Sequence, residues 1–526
     1  MLEKLKGYAS YFVLLVIISI LFSCISYSSL NKYSKTEVVL DGERLDLQND
    51  LIYVGENIYV SYDDVKEKIA GDIFKESAVK KIIITANNSI NVYTLNSNDW
   101  YVNYQKYENS DVKKYITAEN IDYILLDELC DIYDFTKVES GELNLVNILK
   151  NDFETATLKY DREYGYLSKD CKKDKILVGK EAELNIVKDA NYYDESIDYV
   201  TVVVEKDVSR NVVFMYKQNL NFEYIKEEVV QEDYEFKTIV QNEDNLNIVT
   251  NEDNYYIYSV FKLVTNAGEL DTIYDINSLG DNSYAMITNG YRASNYDSSM
   301  VSYALQNMNS RQKMVQSIAE KVKNTRVKGI VVNFREFKVT SKEYFTQFVK
   351  ELSMYMHMLG KETMVYIPIN SSYIDMESVL QYADNCILIQ YGIKSENSKT
   401  SGPDSSPTFV ENNVKELLNK NVNVKKVIIE IPLYSVLWTE KEQKVVNAQY
   451  VYSSAIQSYI TQNSVKTVLD EQSGQMYAEH TKGNLTYKMW LEDMYSINKK
   501  TNIAKENKLG GVSLYKKGYE SQELNI

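Results

Sequence analysis

The chain has 526 residues, of which 44% are hydrophobic and 25% charged, values that suit several compact domains of about 100–200 residues. Acidic residues outnumber basic ones by 75 to 58, giving a formal net charge of −17 that disfavours nucleic acid as a partner. The 4 widely spaced cysteines and 2 histidines argue against a disulfide framework, a histidine-rich metal site and a Ser-His-Asp hydrolase. We therefore expect no metal and no cofactor.

An uncharged segment near the N-terminus, residues 7–31, follows Lys4 and Lys6 and is long enough to span a bilayer. The positive flank predicts a cytoplasmic N-terminus, a single pass, and the bulk of the chain outside the cell membrane or in a spore envelope. We favour an uncleaved signal anchor. A cleaved signal peptide and a lipoprotein attached at Cys24, within a lipobox-like sequence, are the alternatives.

Residues 36–150 alternate short strand and helix patterns and predict an α+β domain. The pattern predicts a helix over Tyr62–Ile69 and a hairpin that joins residues 80–86 and 89–95 through Asn87-Asn88. Residues 38–65 resemble the copper amine oxidase N-terminal-like domain of bacterial envelope proteins. No histidine lies in this region to bind copper, so we expect no metal there.

Residues 155–222 contain only short strand patterns with polar turns, which predict a small SH3-like all-β domain. Such a domain either binds cell-wall peptides or acts as a spacer. The following stretch, residues 221–254, is strongly acidic and is typical of a solvated linker. Within it, the apolar residues 236–240 are the candidate first strand of the next domain.

From residue 255 onward, apolar strand patterns alternate with helical patterns, which is typical of a parallel sheet. The repetition predicts a (β/α)8 barrel over residues 236–526, with a small inserted subdomain at 449–487. The predicted strands are 285–288, 329–334, 364–369, 386–391, 427–433 and 511–515, and the predicted helices are 310–324, 341–359, 376–383, 409–419 and 491–506.

Several sequence blocks in this region, from about Phe236 to Leu524, occur in an order that resembles the family 18 glycoside hydrolases, specifically their spore-cortex and cell-wall branch. The blocks that carry the resemblance are Ala285–Gly290, Asn309–Lys313, Gly329–Phe334, Ile431–Tyr434 with Trp438, Trp490–Asp493 and Leu509–Tyr515. The Ile431–Tyr434 block corresponds to a family sequence Gly-Ile-Pro-Leu-Tyr-Gly-Tyr-x-Trp.

The resemblance implies a catalytic strand with the signature Gly-x-Asp-x-Asp-x-Glu, whose Glu protonates the glycosidic oxygen while the neighbouring Asp orients the substrate N-acetyl group. The matching positions here are Val331, Asn333 and Arg335. A guanidinium stays protonated and cannot act as a general acid. Glu336 is the fallback acid, which a β-bulge would bring round to the mouth. On a regular strand it points to the opposite face and belongs to the loop, where it would pair with Lys338, and we favour this second interpretation. We expect a pseudoenzyme.

The same resemblance leaves a groove at the barrel mouth. Its candidate carbohydrate-binding residues are Asn333, Arg335, Tyr391, Trp438 and Tyr515. The tyrosine of the family's Tyr-Asp pair is kept, and the acid is replaced by Gly392. Arg335 has two possible partners: a carboxylate of a peptidoglycan fragment, or an acid of the barrel that closes the site.

Three functions stay open at this point. The first is a membrane-anchored, non-catalytic envelope protein whose barrel binds cell-wall glycan, a peptidoglycan fragment or an envelope protein. The second is an active N-acetylglucosaminidase or related peptidoglycan hydrolase. The third is a purely structural spore or cell-envelope protein.

Overall fold

The structure, a computed structural model, describes residues 30–32, 36–108, 110–140, 145–150, 152–167, 171–172, 174–206, 209–223, 234–247, 250–290, 296–368, 371–395 and 397–524. Two compact units are present, Met1–Val230 and Gln231–Ile526. Cys24 and residues 7–29 of the predicted membrane segment lie outside the described residues. None of the helices within the described ranges is long and apolar enough to cross a membrane.

The first unit begins with three small sheets. One contains Leu30–Lys32, Ile52–Val54, Asn57–Ser61, Ile121–Leu125 and Tyr115–Ala118; the second contains Gln105–Tyr107, Trp100–Val102, Ser89–Thr94, Lys81–Ala86 and Ile73–Glu76; the third contains Phe135–Ser140, Leu145–Lys150, Glu37–Leu40 and Glu43–Leu45. The predicted hairpin is confirmed: Asn87 and Asn88 both adopt positive φ, which asparagine tolerates. The predicted helix is present as the short helix Tyr62–Asp64 followed by π-helical Val65–Ile69.

A longer helix, Leu126–Tyr133, completes this region. The resemblance to a copper amine oxidase N-terminal-like domain stays a prediction.

The remainder of the first unit contains one seven-stranded antiparallel sheet and a short helix, Ala190–Tyr193. In spatial order its strands are Lys175–Gly179, Arg162–Tyr166, Ser209–Tyr216, Tyr199–Lys206, Glu183–Val187, Phe153–Leu158 and Leu220–Asn221. Alternate residues of the central strand, Val200, Val202 and Val204, lie in its hydrophobic core. The region is therefore mainly β, as predicted, but the helix Ala190–Tyr193 departs from an all-β domain, and the SH3-like character stays a prediction.

The second unit contains a closed barrel of eight parallel strands. They are β1 (Lys237–Asn242), β2 (Tyr255–Leu263), β3 (Ser283–Thr288), β4 (Gly329–Asn333), β5 (Glu362–Ile367), β6 (Asn385–Ile389), β7 (Val427–Pro432) and β8 (Gly511–Tyr515). Each pairs with its neighbours in parallel, and β1 closes the ring by pairing with both β2 and β8. The predicted barrel is confirmed, and β1 begins within the stretch expected to be a linker.

Helices cover the outside of the barrel. They are α1 (Ser298–Gln306), α2 (Met308–Val322), α3 (Lys342–Met358), α4 (Met376–Leu380), α5 (Pro407–Leu418) and α6 (Met494–Glu506). A short strand, Leu270–Thr272, pairs antiparallel with β2. Inward side chains of the strands fill the interior, as is usual for this architecture. We call the end of the barrel at the strands' carboxyl termini the mouth, because sites in this fold form there.

The insertion between β7 and β8 is larger than predicted and begins at Tyr434 rather than residue 449. Its sheet contains Lys444–Tyr452, Tyr434–Lys441, Leu485–Trp490, Gln475–Lys482 and Thr467–Asp470 in spatial order, with a helix at Ser453–Asn463. The first two strands are joined through Glu442 and Gln443, which both adopt positive φ. Because this turn contains neither glycine nor asparagine, the sequence gives no signal for it.

Candidate functional site

The three positions that match the family's catalytic strand share one face at the barrel mouth. Val331 is fully buried and Asn333 is 3% exposed, while Arg335 lies two residues beyond the end of β4 and is half-buried. Arg335 Nε donates to Asn333 Oδ1 at 2.7 Å. The Asn289 side chain accepts from the Arg335 backbone N–H at 2.8 Å and donates to its carbonyl oxygen at 2.9 Å. Arg335 is thus held in place through side chain and backbone.

Two aromatic rings flank the Arg335 guanidinium. Its Cζ atom lies 5.6 Å from the centroid of the Tyr296 ring and 5.7 Å from that of Tyr366. Cations favour the faces of aromatic rings, and the effect grows where water is excluded. The guanidinium is therefore held between two aromatic rings.

A carboxylate that sequence reasoning missed lies deeper in the barrel. Glu430, on β7, is fully buried and points inward. Its Oε1 accepts from the Tyr391 hydroxyl at 2.7 Å, and its Oε2 accepts from the Tyr366 hydroxyl at 2.6 Å and from Ser513 Oγ at 3.1 Å. The Tyr366 hydroxyl in turn accepts from Gln241 Nε2 at 2.9 Å. Side chains from three other strands or strand ends thus donate to this acid, and a fourth strand contributes Gln241 through Tyr366.

Arg335 and Glu430 influence each other electrostatically. Burial raises the pKa of Glu430, and the hydroxyl donors of Tyr366 and Tyr391 and the positive charge of Arg335 partly offset that rise. Burial alone would lower the pKa of Arg335, but its surroundings, Glu430 among them, raise the pKa above its usual value. The guanidinium therefore stays charged. Within the described part of the chain, the two groups form no direct ion pair.

Tyrosine rings form the wall of the mouth next to Glu430. The ring of Tyr391 lies 5.6 Å from that of Tyr515 and 6.1 Å from that of Tyr434. The Tyr515 hydroxyl donates to Glu243 Oε2 at 2.9 Å, and Lys516 Nζ lies 3.9 Å from the same oxygen. Tyr391 and Tyr515 are half-buried, so part of each residue is accessible to solvent. Such rings can stack on the apolar faces of sugars.

Trp438 does not line this groove. It is fully buried, and its Nε1 donates to the carbonyl oxygen of Gly402 at 2.8 Å. The reason is its position in the first strand of the insertion, where it packs beneath the loop between β6 and α5 instead of facing the mouth. The expectation that Trp438 is a groove residue is therefore corrected.

The loop between β6 and α5 supplies a carboxylate near the position where the family's acid is lost. Asp404 Oδ1 accepts from the backbone N–H of Gly392 at 2.9 Å, and its Oδ2 accepts from the Tyr434 hydroxyl at 3.0 Å. Burial raises the pKa of Asp404, and these donors partly offset the rise. Both oxygens are occupied, so this acid supports the loop rather than facing the mouth.

Glu336 lies in the loop after β4, as expected from its place in the sequence. It is exposed and has a φ of 61°, in the left-handed region. No ion pair between Glu336 and Lys338 is present within the described residues, and the Lys338 backbone N–H donates to Ser302 Oγ.

Sequence reasoning missed the acid and two of the rings around the arginine: Glu430, Tyr366 and Tyr296. A signal for Glu430 exists, because it is the single charge in the apolar run from Val427 to Leu433. Buried charges in such runs require partners. Nothing comparable marks Tyr366 or Tyr296 in a chain with 46 tyrosines.

Comparison with known proteins agrees with the barrel's sequence blocks. Residues 288–520 match the model of the glycosyl hydrolases family 18. Two curated relatives come from Bacillus subtilis (strain 168). The uncharacterized glycosylase YvbX is 22% identical over 242 residues, or 44% of this chain and 68% of that protein. YdhD, provisionally named as a sporulation-specific glycosylase, is 21% identical over 250 residues, or 44% of this chain and 56% of that protein.

The chain also aligns with solved structures, two of which are named as enzymes. The spore cortex-lytic enzyme SleL of Bacillus cereus aligns with a TM-score of 0.48 and 15% identity, covering 66% of this chain and 86% of that one. The chitinase of Chromobacterium violaceum ATCC 12472 aligns with a TM-score of 0.47 and 16% identity, covering 55% of this chain and 96% of that one. The predicted resemblance of the C-terminal barrel to the family 18 glycosyl hydrolases is thus confirmed, over residues 288–520.

Proposed function

We propose that this is a non-catalytic protein of the cell envelope and that its barrel mouth binds cell-wall glycan. The observation that carries the proposal is Arg335, which stands at the position of the family's catalytic acid and is fixed there by Asn333 and Asn289. A protonated guanidinium cannot donate its proton to a glycosidic oxygen at ordinary pH. General acid catalysis contributes about 10²–10⁴-fold to such reactions, so its loss is decisive.

The acids nearest the mouth do not replace the missing one. A general acid must come within hydrogen-bond reach of the leaving oxygen. Glu430 is fully buried with both oxygens accepting hydroxyl donors, and Glu243 is bound to the Tyr515 hydroxyl. Glu336 is an exposed loop residue beyond β4. An active hydrolase would need the left-handed backbone of Glu336 to turn this side chain toward the mouth. Glu336 is therefore the acid to test.

The half-buried rings of Tyr391 and Tyr515 and the donors of Arg335 support glycan binding. Aromatic faces with a few fixed polar groups are typical of sugar sites. The curated relatives carry the name glycosylase, which suits a glycan ligand. We further propose that the segment at residues 7–31 holds the protein at the membrane with its bulk outside the cell.

The test combines turnover and binding on the full chain in detergent. We expect no release of products from chito-oligosaccharides or peptidoglycan, and measurable binding of chito-oligosaccharide by calorimetry that weakens in Tyr391→Ala. Hydrolysis that persists in Arg335→Ala and disappears in Glu336→Gln would overturn the proposal in favour of an active enzyme. If the wild type bound no chito-oligosaccharide, the result would favour the third function, a purely structural envelope protein.

Orientation has its own test. Protease added to intact protoplasts should digest the barrel, whereas protection of the barrel would contradict an external location. If the Cys24→Ala change alone released the protein from the membrane, the anchor would be a lipid on Cys24 and not a signal anchor.

A further inference from the structure

We infer that Glu430 is a specificity-determining residue of the barrel mouth: it compensates the charge of Arg335 and so lowers the affinity for ligands that carry a carboxylate. The inference rests on the proposed glycan binding. It concerns which glycans the mouth prefers, a question that the aromatic walls leave open because every sugar has an apolar face.

Two departures from the family pattern have opposite charge and converge in the mouth. Arg335 follows β4 at the position of the family's acid. In the block that resembles Gly-Ile-Pro-Leu-Tyr, the position before Ile431 holds Glu430 instead of glycine. The two residues belong to β7 and to the end of β4, which are separated by β5 and β6 in the barrel, so their proximity depends on the curvature of the closed sheet.

Tyr366 connects the two charges. Its ring centroid lies 5.7 Å from the Arg335 Cζ atom, and its hydroxyl donates to Glu430 Oε2 at 2.6 Å. On the other side, Tyr391 donates to Glu430 Oε1 at 2.7 Å. The carboxylate cannot turn toward a ligand without breaking these bonds, so its charge acts from a fixed place below the mouth.

The groups that face Glu430 are accounted for strand by strand. They are Arg335 after β4, Tyr366 on β5, Tyr391 after β6, and Ser513 and Tyr515 on β8. Arg335 is the single cation of this set. When Glu430 is ionised, its negative charge and the positive charge of Arg335 cancel within this set.

Distance decides how strongly this balance is felt by a ligand. A bound carboxylate would contact Arg335 directly and meet Glu430 from further away. Coulomb energies fall with the inverse of distance, so a negative charge about twice as far away offsets about half of the attraction. Glu430 therefore reduces the preference for anions without abolishing it. Its removal leaves the full charge of Arg335 exposed to the ligand.

The experiment compares two ligands that differ only in charge. They are the disaccharide N-acetylglucosaminyl-N-acetylmuramic acid and its lactyl methyl ester, titrated by calorimetry into the full chain in detergent at constant low salt. We expect Glu430→Gln to tighten binding of the acid about tenfold or more while binding of the ester changes little. Arg335→Gln should shift the acid-to-ester ratio in the opposite direction, and it serves as a second variant if Glu430→Gln does not fold.

The matched control is Glu362→Gln. Glu362, at the start of β5, also accepts a tyrosine hydroxyl, from Tyr284 at 2.7 Å, but lies at the opposite end of the barrel. It should leave the acid-to-ester ratio unchanged. An unchanged ratio in Glu430→Gln, or equal changes for both ligands, would overturn the inference while leaving glycan binding intact. If neither ligand bound the wild type, the proposed function would be overturned instead, and the inference with it.

Discussion

Lys500 Nζ lies 2.6 Å from Glu492 Oε2, and both side chains are buried where the insertion meets α6. Ser405 Oγ and Gln475 Nε2 complete the cluster at 2.8 Å from Lys500 Nζ and 3.2 Å from Glu492 Oε2. Burial raises the pKa of Glu492 to about 7, and the attraction of Lys500 partly offsets that rise. Burial likewise lowers the pKa of Lys500.

This pair gives the protein a pH-dependent stability. An acid whose pKa is raised on folding stabilises the folded state below its unfolded pKa and loses that contribution as pH rises through its folded pKa. We expect the free energy of unfolding, relative to Glu492→Gln, to fall by about 2 kcal/mol between pH 5 and 8. Chemical denaturation at several pH values tests this. Parallel profiles for wild type and variant would contradict it.

Arg335 and Glu430 should be coupled in stability as well as in binding. Removing either charge leaves the other in a partly or fully buried place without this opposite charge, although its hydrogen bonds remain. We expect the single variants Arg335→Gln and Glu430→Gln each to cost about 2 kcal/mol, and the double variant to cost about 1 kcal/mol less than their sum. Denaturant titration of the four proteins measures the coupling. Additive costs would mean that the two charges act independently.

Trp438 should matter for folding rather than for recognition. Truncating a fully buried tryptophan typically costs about 3–5 kcal/mol. We therefore expect Trp438→Ala to be strongly destabilised, and any molecules that fold to bind chito-oligosaccharide with unchanged affinity. The control is Tyr450→Ala in the same sheet, which is 43% exposed and should cost about 1 kcal/mol or less. Selective loss of glycan binding in a stable Trp438→Ala would restore Trp438 to the groove.

The start of β4 depends on a glycine. A Cβ atom on Gly329 would lie 2.2 Å from the carbonyl oxygen of Glu362 on the neighbouring strand. Neither strand can move without disturbing the closed barrel, so Gly329→Ala should cost about 1–3 kcal/mol. At Gly280, the nearest atom to an added Cβ is Asn282 Oδ1 at 3.7 Å, and Gly280→Ala should change stability little. Thermal unfolding of both variants compares them, and equal melting temperatures would contradict the packing argument.

The barrel was predictable because its strands are continuous apolar runs, a pattern that two-sided burial requires. The eighth strand, Gly511–Tyr515, has the predicted bounds. The last helix begins at Met494 instead of residue 491, because the Asp493 side chain caps it by accepting from the Ser496 N–H at 3.0 Å. The insertion was underestimated because its first hairpin turn, Glu442-Gln443, carries no turn signal.

The candidate site also contains one part that the sequence predicted and one part that it did not. The resemblance of one strand to a known signature gave the place of Arg335. Asn333 lies on the same strand, but the other groups around Arg335 come from other strands and loops, so sequence spacing contains no information about which of them meet. Glu430 shows the limit most clearly: its charge was visible, but its role depends on hydroxyls from three other strands or strand ends.

Tyr434 is the first residue of the insertion and also part of the mouth. Its ring lies 6.1 Å from that of Tyr391 and 4.7 Å from that of Tyr450, and its hydroxyl bonds to Asp404. A truncation that separates the barrel from the insertion would remove these contacts. The mouth therefore cannot be separated from the insertion: any fragment that keeps the mouth must include the whole segment from β7 to α6.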